Sequence, residues 1–157
     1  MARLDAARVT AWRELQAVAG AVERRLDAAL VAEWQVPLAS FDVLAALHHL
    51  GGRARPQALA ASLRLSPSSL SRRLDRLQEE GWVARARPPT PADHRAVVVA
   101  LTPRGRALWR AMNVTYRRGV QHLVSAPLDD PDIARLRDVL GRLGAALDSE
   151  VADGQGG

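Results

Sequence analysis

Ser66-Pro67-Ser68-Ser69-Leu70-Ser71-Arg72-Arg73-Leu74-Asp75-Arg76-Leu77, residues 66–77, is the stretch from which the rest of the chain is read. A serine side chain can accept from the first free N–H groups of a helix, and Pro67 supplies a preset φ at the first helical position. A helix therefore begins there. Leu70, Leu74 and Leu77 recur at three- and four-residue spacing as its inner face, and Gly81 is placed to end it. What is left outside is Ser68, Ser69, Ser71, Arg72, Arg73 and Arg76, a surface of short hydroxyls and guanidiniums.

Charge centres on the same region. Residues 53–106 hold eleven arginines against four acids, a net +7, whereas residues 1–52 and 107–157 carry −1 each. The whole net charge of +5 thus belongs to the middle of the chain. A polyanion is the natural partner for such a segment, and a solvated basic surface is the competing reading.

Upstream, Val9, Trp12, Leu15, Val18, Val22, Leu26, Leu30 and Trp34 fall three or four apart over about seven turns, so a long amphipathic helix is expected. Val36-Pro37 interrupts it. Phe41, Leu44, Leu47 and Leu50 then form one face of a second helix that Gly51-Gly52 stops, and Pro56 can start a short third helix buried through Leu59, Ala60 and Leu63. The third and fourth helices make a helix-turn-helix.

Downstream the period changes. Trp82–Arg87 and Ala96–Leu101 read as two strands of a hairpin with a proline-stiffened, basic tip, Pro88-Pro89-Thr90-Pro91-Ala92-Asp93-His94-Arg95. Thr102-Pro103 opens a fifth helix that Pro127 ends by about Ala126, and Asp130-Pro131 starts a sixth with Ile133, Leu136, Leu140, Leu143, Leu147 and Val151 on one face.

The expected fold is mainly α (α+β): a winged helix-turn-helix with a two-stranded β-hairpin wing, flanked by N- and C-terminal dimerisation helices. The divisions are an N-terminal dimerisation helix over 1–35, the DNA-binding winged domain over 36–106, C-terminal dimerisation helices over 107–152 and a disordered tail over 153–157. The long flanking helices need a partner for their apolar stripes, and a second copy of the chain is the simplest one.

Several classes of function are disfavoured. The absence of cysteine excludes disulfides, thiolate metal sites and thiol catalysis. The four histidines at 48, 49, 94 and 122 are scattered, with no nucleophile, base or metal set around them, so neither enzymatic activity nor a cofactor is expected. Zinc held by His48, His49, His122 and an acid is a rival that spacing leaves open. No apolar run reaches the roughly eighteen residues of a membrane span and the N-terminus lacks a signal-peptide pattern, so the expectation is a cytoplasmic protein with no membrane partner.

The chain resembles the MarR (multiple antibiotic resistance regulator) family. The resemblance rests on Leu59-Ala60, the run Leu65–Arg72, Leu74-Asp75-Arg76-Leu77, Gly81-Trp82-Val83, Asp93-x-Arg95 and Leu101-Thr102-x-x-Gly105, and covers about residues 35–110. It implies a triangular homodimer with interlocked terminal helices, winged domains in successive major grooves of a pseudo-palindromic site, and wings in the adjacent minor grooves. It also implies a small, often aromatic or phenolic, effector bound between dimer helices and winged domain, with repression relieved by ligand as the family default. Pro37 and Arg55 stand where a Ser or Thr cap is common, Arg73 occupies an often apolar position, and the Pro-Pro-Thr-Pro wing is unusual.

Double-stranded DNA is the expected partner. Arg72 and Ser71 are the best placed to touch bases, because a guanidinium spans guanine O6 and N7 and a small hydroxyl permits close approach. Ser68 and Ser69 join them on the major-groove side. Ser66, Arg73 and Arg76 are assigned to phosphate, with snorkelling across the helix as the alternative for Arg73. On the wing, Arg95 is expected in the minor groove with Asp93 orienting it, beside His94, Arg85 and Arg87. An effector pocket is drawn from Trp12, Trp34, His48, Trp109, Met112 and Tyr116, although aromatics at helical spacing are more often core. The alternative function is a winged-helix module for ligand or protein binding without DNA.

Overall fold

The computed structural model describes residues 5–86 and 97–154, with side chains as far as residue 149. It divides into two compact units, Met1–Gly119 and Val120–Gly157. The first holds α1 (Ala6–Trp34), α2 (Leu38–His49), β1 (Arg53–Ala54), α3 (Pro56–Leu63), α4 (Pro67–Glu79), β2 (Val83–Ala86), β3 (Val98–Leu101) and all but the last residue of α5 (Pro103–Val120). The second holds a π-helical turn, Gln121–Ser125, and α6 (Asp130–Gly154).

The expected helix starts at Ser66 and Thr102 are made as read. Ser66 Oγ accepts from Ser69 N–H at 3.3 Å, and Thr102 Oγ1 accepts from Gly105 N–H at 3.0 Å while donating to the Gly81 carbonyl at 2.7 Å. The end of α4 is thereby tied to the start of α5. Gly81 adopts φ +75°, and its N–H and that of Trp82 close on the carbonyls of Gln78 and Leu77. A Cβ on Gly105 would lie 1.9 Å from the Trp82 carbonyl oxygen, so only glycine fits that crossing.

Three details differ from the sequence reading. Pro37 leaves α2 without a side-chain cap of its own, but Asp27 on α1 accepts from Leu38 N–H at 2.8 Å and supplies one. At α6 the accepting carboxylate is Asp129, which takes the Asp132 N–H at 2.8 Å, rather than Asp130. The sheet has three strands, in the order β1-β3-β2: besides the antiparallel β2–β3 pair, Arg53 and Ala54 pair with Ala100 and Val99. Residues 87–96, including the outer ends of both expected hairpin strands and the wing tip, lie outside the described residues, as do residues 155–157 of the expected tail.

The winged core packs Val43, Leu44 and Leu47 of α2 against Leu59 of α3, the Leu70-Leu74-Leu77 face of α4, and Val83, Val99 and Leu101 of the sheet. Burying each such leucine stabilises by about 1.5–3 kcal/mol, enough to fix how α4 presents its outer face. A second cluster joins Leu30, Val36, Phe41 and Met112. In the second unit, Leu136, Val139, Leu140, Leu143 and Leu147 of α6 are all exposed. No single helix among the described residues is long and apolar enough to cross a membrane.

Candidate nucleic-acid interface

With its three leucines buried, α4 turns Ser68, Ser71, Arg72, Asp75 and Arg76 to solvent, while Ser69 and Arg73 are half-buried on one flank. The hydroxyls at its start form a small network: Ser66 Oγ donates to Ser69 Oγ at 2.9 Å and lies 3.3 Å from Ser68 Oγ. Ser66 is thus engaged in capping, a role its position had signalled. No acid occupies the first turn, so the exposed N–H groups and the helix dipole present an uncompensated positive end to an approaching anion.

Arg72 and Arg76 are exposed one turn apart and point the same way as Ser68. The half-buried Arg73 is near enough to Asp42 of α2 for its charge to favour the ionised carboxylate. The Asp42 pKa nevertheless lies above the usual carboxylate value, because burial outweighs Arg73 and Glu23 adds repulsion. Burial, followed by the charge of Asp42, also raises the Tyr116 phenol.

Arg85 sits on β2 at the base of the wing, yet its guanidinium is bound to α4. Nη1 donates to Asp75 Oδ1 at 2.7 Å and to Gln78 Oε1 at 3.3 Å, and Nη2 reaches the Ser71 carbonyl at 3.4 Å. The pair offsets the one carboxylate on the exposed middle of α4, which would otherwise repel phosphate. Sequence reasoning missed this pairing, since ten residues and a turn separate the two. Arg87, Asp93, His94 and Arg95 lie outside the described residues.

The expected effector residues separate into two places. Tyr116 stacks on Phe41 with ring centroids 4.7 Å apart, His48 stacks on Trp109 at 3.6 Å, and Met112 is fully buried beside them. Trp34 Nε1 donates to Thr115 Oγ1 at 2.9 Å, and Thr115 Oγ1 donates in turn to Glu33 Oε2 at 2.8 Å. These five belong to one packed region, in which the buried Trp109 Nε1 has no hydrogen-bond partner among the described residues. Trp12 is 58% exposed and takes no part in that packing. A cavity of about 350 Å³ lies elsewhere, between α3, α4 and the sheet, where Pro56, Ala60, Leu70, Leu74 and Val97 meet Ser71, Asp75 and Arg85. The described residues contain no group of three or more His, Cys, Asp or Glu able to hold a metal.

Comparison with known proteins points in the same direction. The family model for the MarR family matches residues 34–96. The HTH-type transcriptional regulator PecS of Dickeya dadantii (strain 3937) is 30% identical over 124 residues, spanning 78% of this chain and 72% of that protein. A MarR family transcriptional regulator from Streptomyces coelicolor, solved in complex with DNA, is 25% identical with a TM-score of 0.84, covering 94% of this chain and 91% of its own. A mutant MarR from E. coli, complexed with operator DNA, is 27% identical with a TM-score of 0.77 over 90% of this chain and 99% of that one.

Proposed function

The chain belongs to the MarR family of transcriptional regulators, and on that premise we propose that it binds a pseudo-palindromic operator as a homodimeric repressor that a small ligand releases. The observation that carries the reading is the outer face of α4: exposed Ser68, Ser71, Arg72 and Arg76, an acid-free first turn, and a mid-helix carboxylate, Asp75, already paired with Arg85. That face enters the major groove. Arg72 and Ser71 read base edges with Ser68 and Ser69 beside them, Arg76 holds phosphate, and Arg73 reaches phosphate only as far as its pull toward Asp42 allows. Arg85 joins the base of the wing to α4, and on the wing Arg95 reaches the minor groove with Asp93 orienting it, beside Arg87 and His94.

For the ligand, the cavity beside Arg85 suits a small organic acid better than the packed aromatic cluster does, because it offers apolar walls and a guanidinium at its edge. A bound carboxylate there would compete with Asp75 for Arg85 and so disturb the reading helix.

The proposal is tested by measuring affinity for genomic DNA fragments across a salt series. Phosphate neutralisation predicts a linear fall of log K with log salt, about 0.9 per phosphate contacted. Salt-insensitive or absent binding would favour a winged module that meets protein or ligand instead.

A further inference from the structure

Arg64, the residue that closes α3 and leads into α4, has a backbone that suits it poorly. Its φ is +52° and its ψ +41°, the left-handed region, and its N–H closes the helix on the carbonyls of Ala60 and Ala61. In that conformation a Cβ crowds the following carbonyl oxygen, so glycine or asparagine is the residue that fits it without cost. Arginine brings no packing in return: Arg64 is exposed, and no side-chain hydrogen bond or ion pair engages it among the described residues. Its position is what it adds. The side chain stands two residues before Ser66, at the mouth of the helix whose N-terminus carries the exposed hydroxyls.

The other arginines of the basic segment sort differently. Arg85 is paired with Asp75, Arg73 is half-buried within electrostatic reach of Asp42, Arg104 lies over Gly81 and Arg106 over Gly52 at the ends of α4 and α2. On the turn and outer face of the helix-turn-helix, Arg64, Arg72 and Arg76 make no such contact among the described residues.

We propose that Arg64 is a DNA-backbone contact held in the turn of the helix-turn-helix against the preference of its own backbone, so that fold stability and DNA affinity oppose each other at this position. The inference rests on the DNA-binding reading above. A phosphate flanking the groove that α4 enters is the partner, and the contact is blind to sequence.

Three proteins, the parent, Arg64→Gly and Arg64→Lys, are compared by thermal unfolding and by binding to two unrelated DNA fragments over a salt series. Arg64→Gly is expected to melt about 2–4 °C higher. It should also bind both fragments roughly three- to tenfold more weakly and lower the salt slope by about 1.8, one phosphate contact from each protomer of the dimer. Arg64→Lys should keep the parent's slope with no gain in melting temperature. A glycine variant with the parent's affinity and slope overturns the contact, and one that melts no higher overturns the opposition between fold and function. If the parent itself binds neither fragment in a salt-dependent way, the DNA-binding reading falls and this inference falls with it.

Discussion

Arg72 and Arg76 stand one turn apart on α4, and under the proposed function the first reads bases and the second holds phosphate. Arg72→Ala is expected to cost about 1–3 kcal/mol at a cognate site and to relax its specificity, because a bidentate base contact discriminates and a phosphate contact does not. Arg76→Ala should weaken matched and scrambled sites alike. Binding titrations on both kinds of site check the pair, and undiminished specific binding by the Arg72 variant would remove it from the reading role. Asp42 offers a second test at this scale. Its pKa in the folded chain is raised above 3.8, mainly by burial, so the folded state holds the proton more tightly than the unfolded chain does. Ionised Asp42 therefore opposes folding at neutral pH, and that opposition is lost as pH falls through the raised value toward 3.8. Asp42→Asn should melt above the parent at neutral pH, and calorimetry should find the gap closing over that acid range. A gap independent of pH would mean that Asp42 is not the titrating group.

Between elements, the pair of Arg85 on β2 and Asp75 on α4 does two things. It ties the base of the wing to α4, and it offsets a carboxylate on the face that, under the proposed function, meets phosphate. The arginine side chain is 28% exposed and the aspartate 55%, so solvent screens much of their attraction and the stability at stake is less than about 1 kcal/mol. Under the proposed function the effect on DNA binding is expected to be the larger of the two. Arg85→Ala leaves Asp75 unpaired and should lower DNA affinity at every sequence, while Arg85→Ala with Asp75→Ala should recover much of the loss. Affinities that simply add across this double-mutant cycle would deny the coupling.

At the scale of the whole molecule, α6 is the helix whose apolar side lacks cover among the described residues. Leu136, Val139, Leu140, Leu143 and Leu147 are exposed at 37–53%, a stripe on one side of a helix of 25 residues. Under the dimer proposal a second copy covers it. Leu140→Glu together with Leu143→Glu should give a monomer by light scattering and should lower operator affinity sharply, because each half-site is then bound without the other's help. A dimer that persists in this variant would exclude α6 from the contact.

What the sequence determined by itself was local. Ser66-Pro67 and Thr102-Pro103 announce helix starts, and the Leu70-Leu74-Leu77 spacing assigns the inner and outer faces of α4, because caps and helical faces are made by residues within a turn of each other. The tertiary structure decided pairings between distant residues. Asp27 caps α2 from α1, the two-residue β1 exists only through its pairing with β3, Arg85 faces α4 rather than solvent, and the aromatics of α2 and α5 stack on one another while Trp12 stands apart. Spacing along the chain carries no information about such meetings. They follow from how the helices pack, and packing is settled only when the whole core is buried at once.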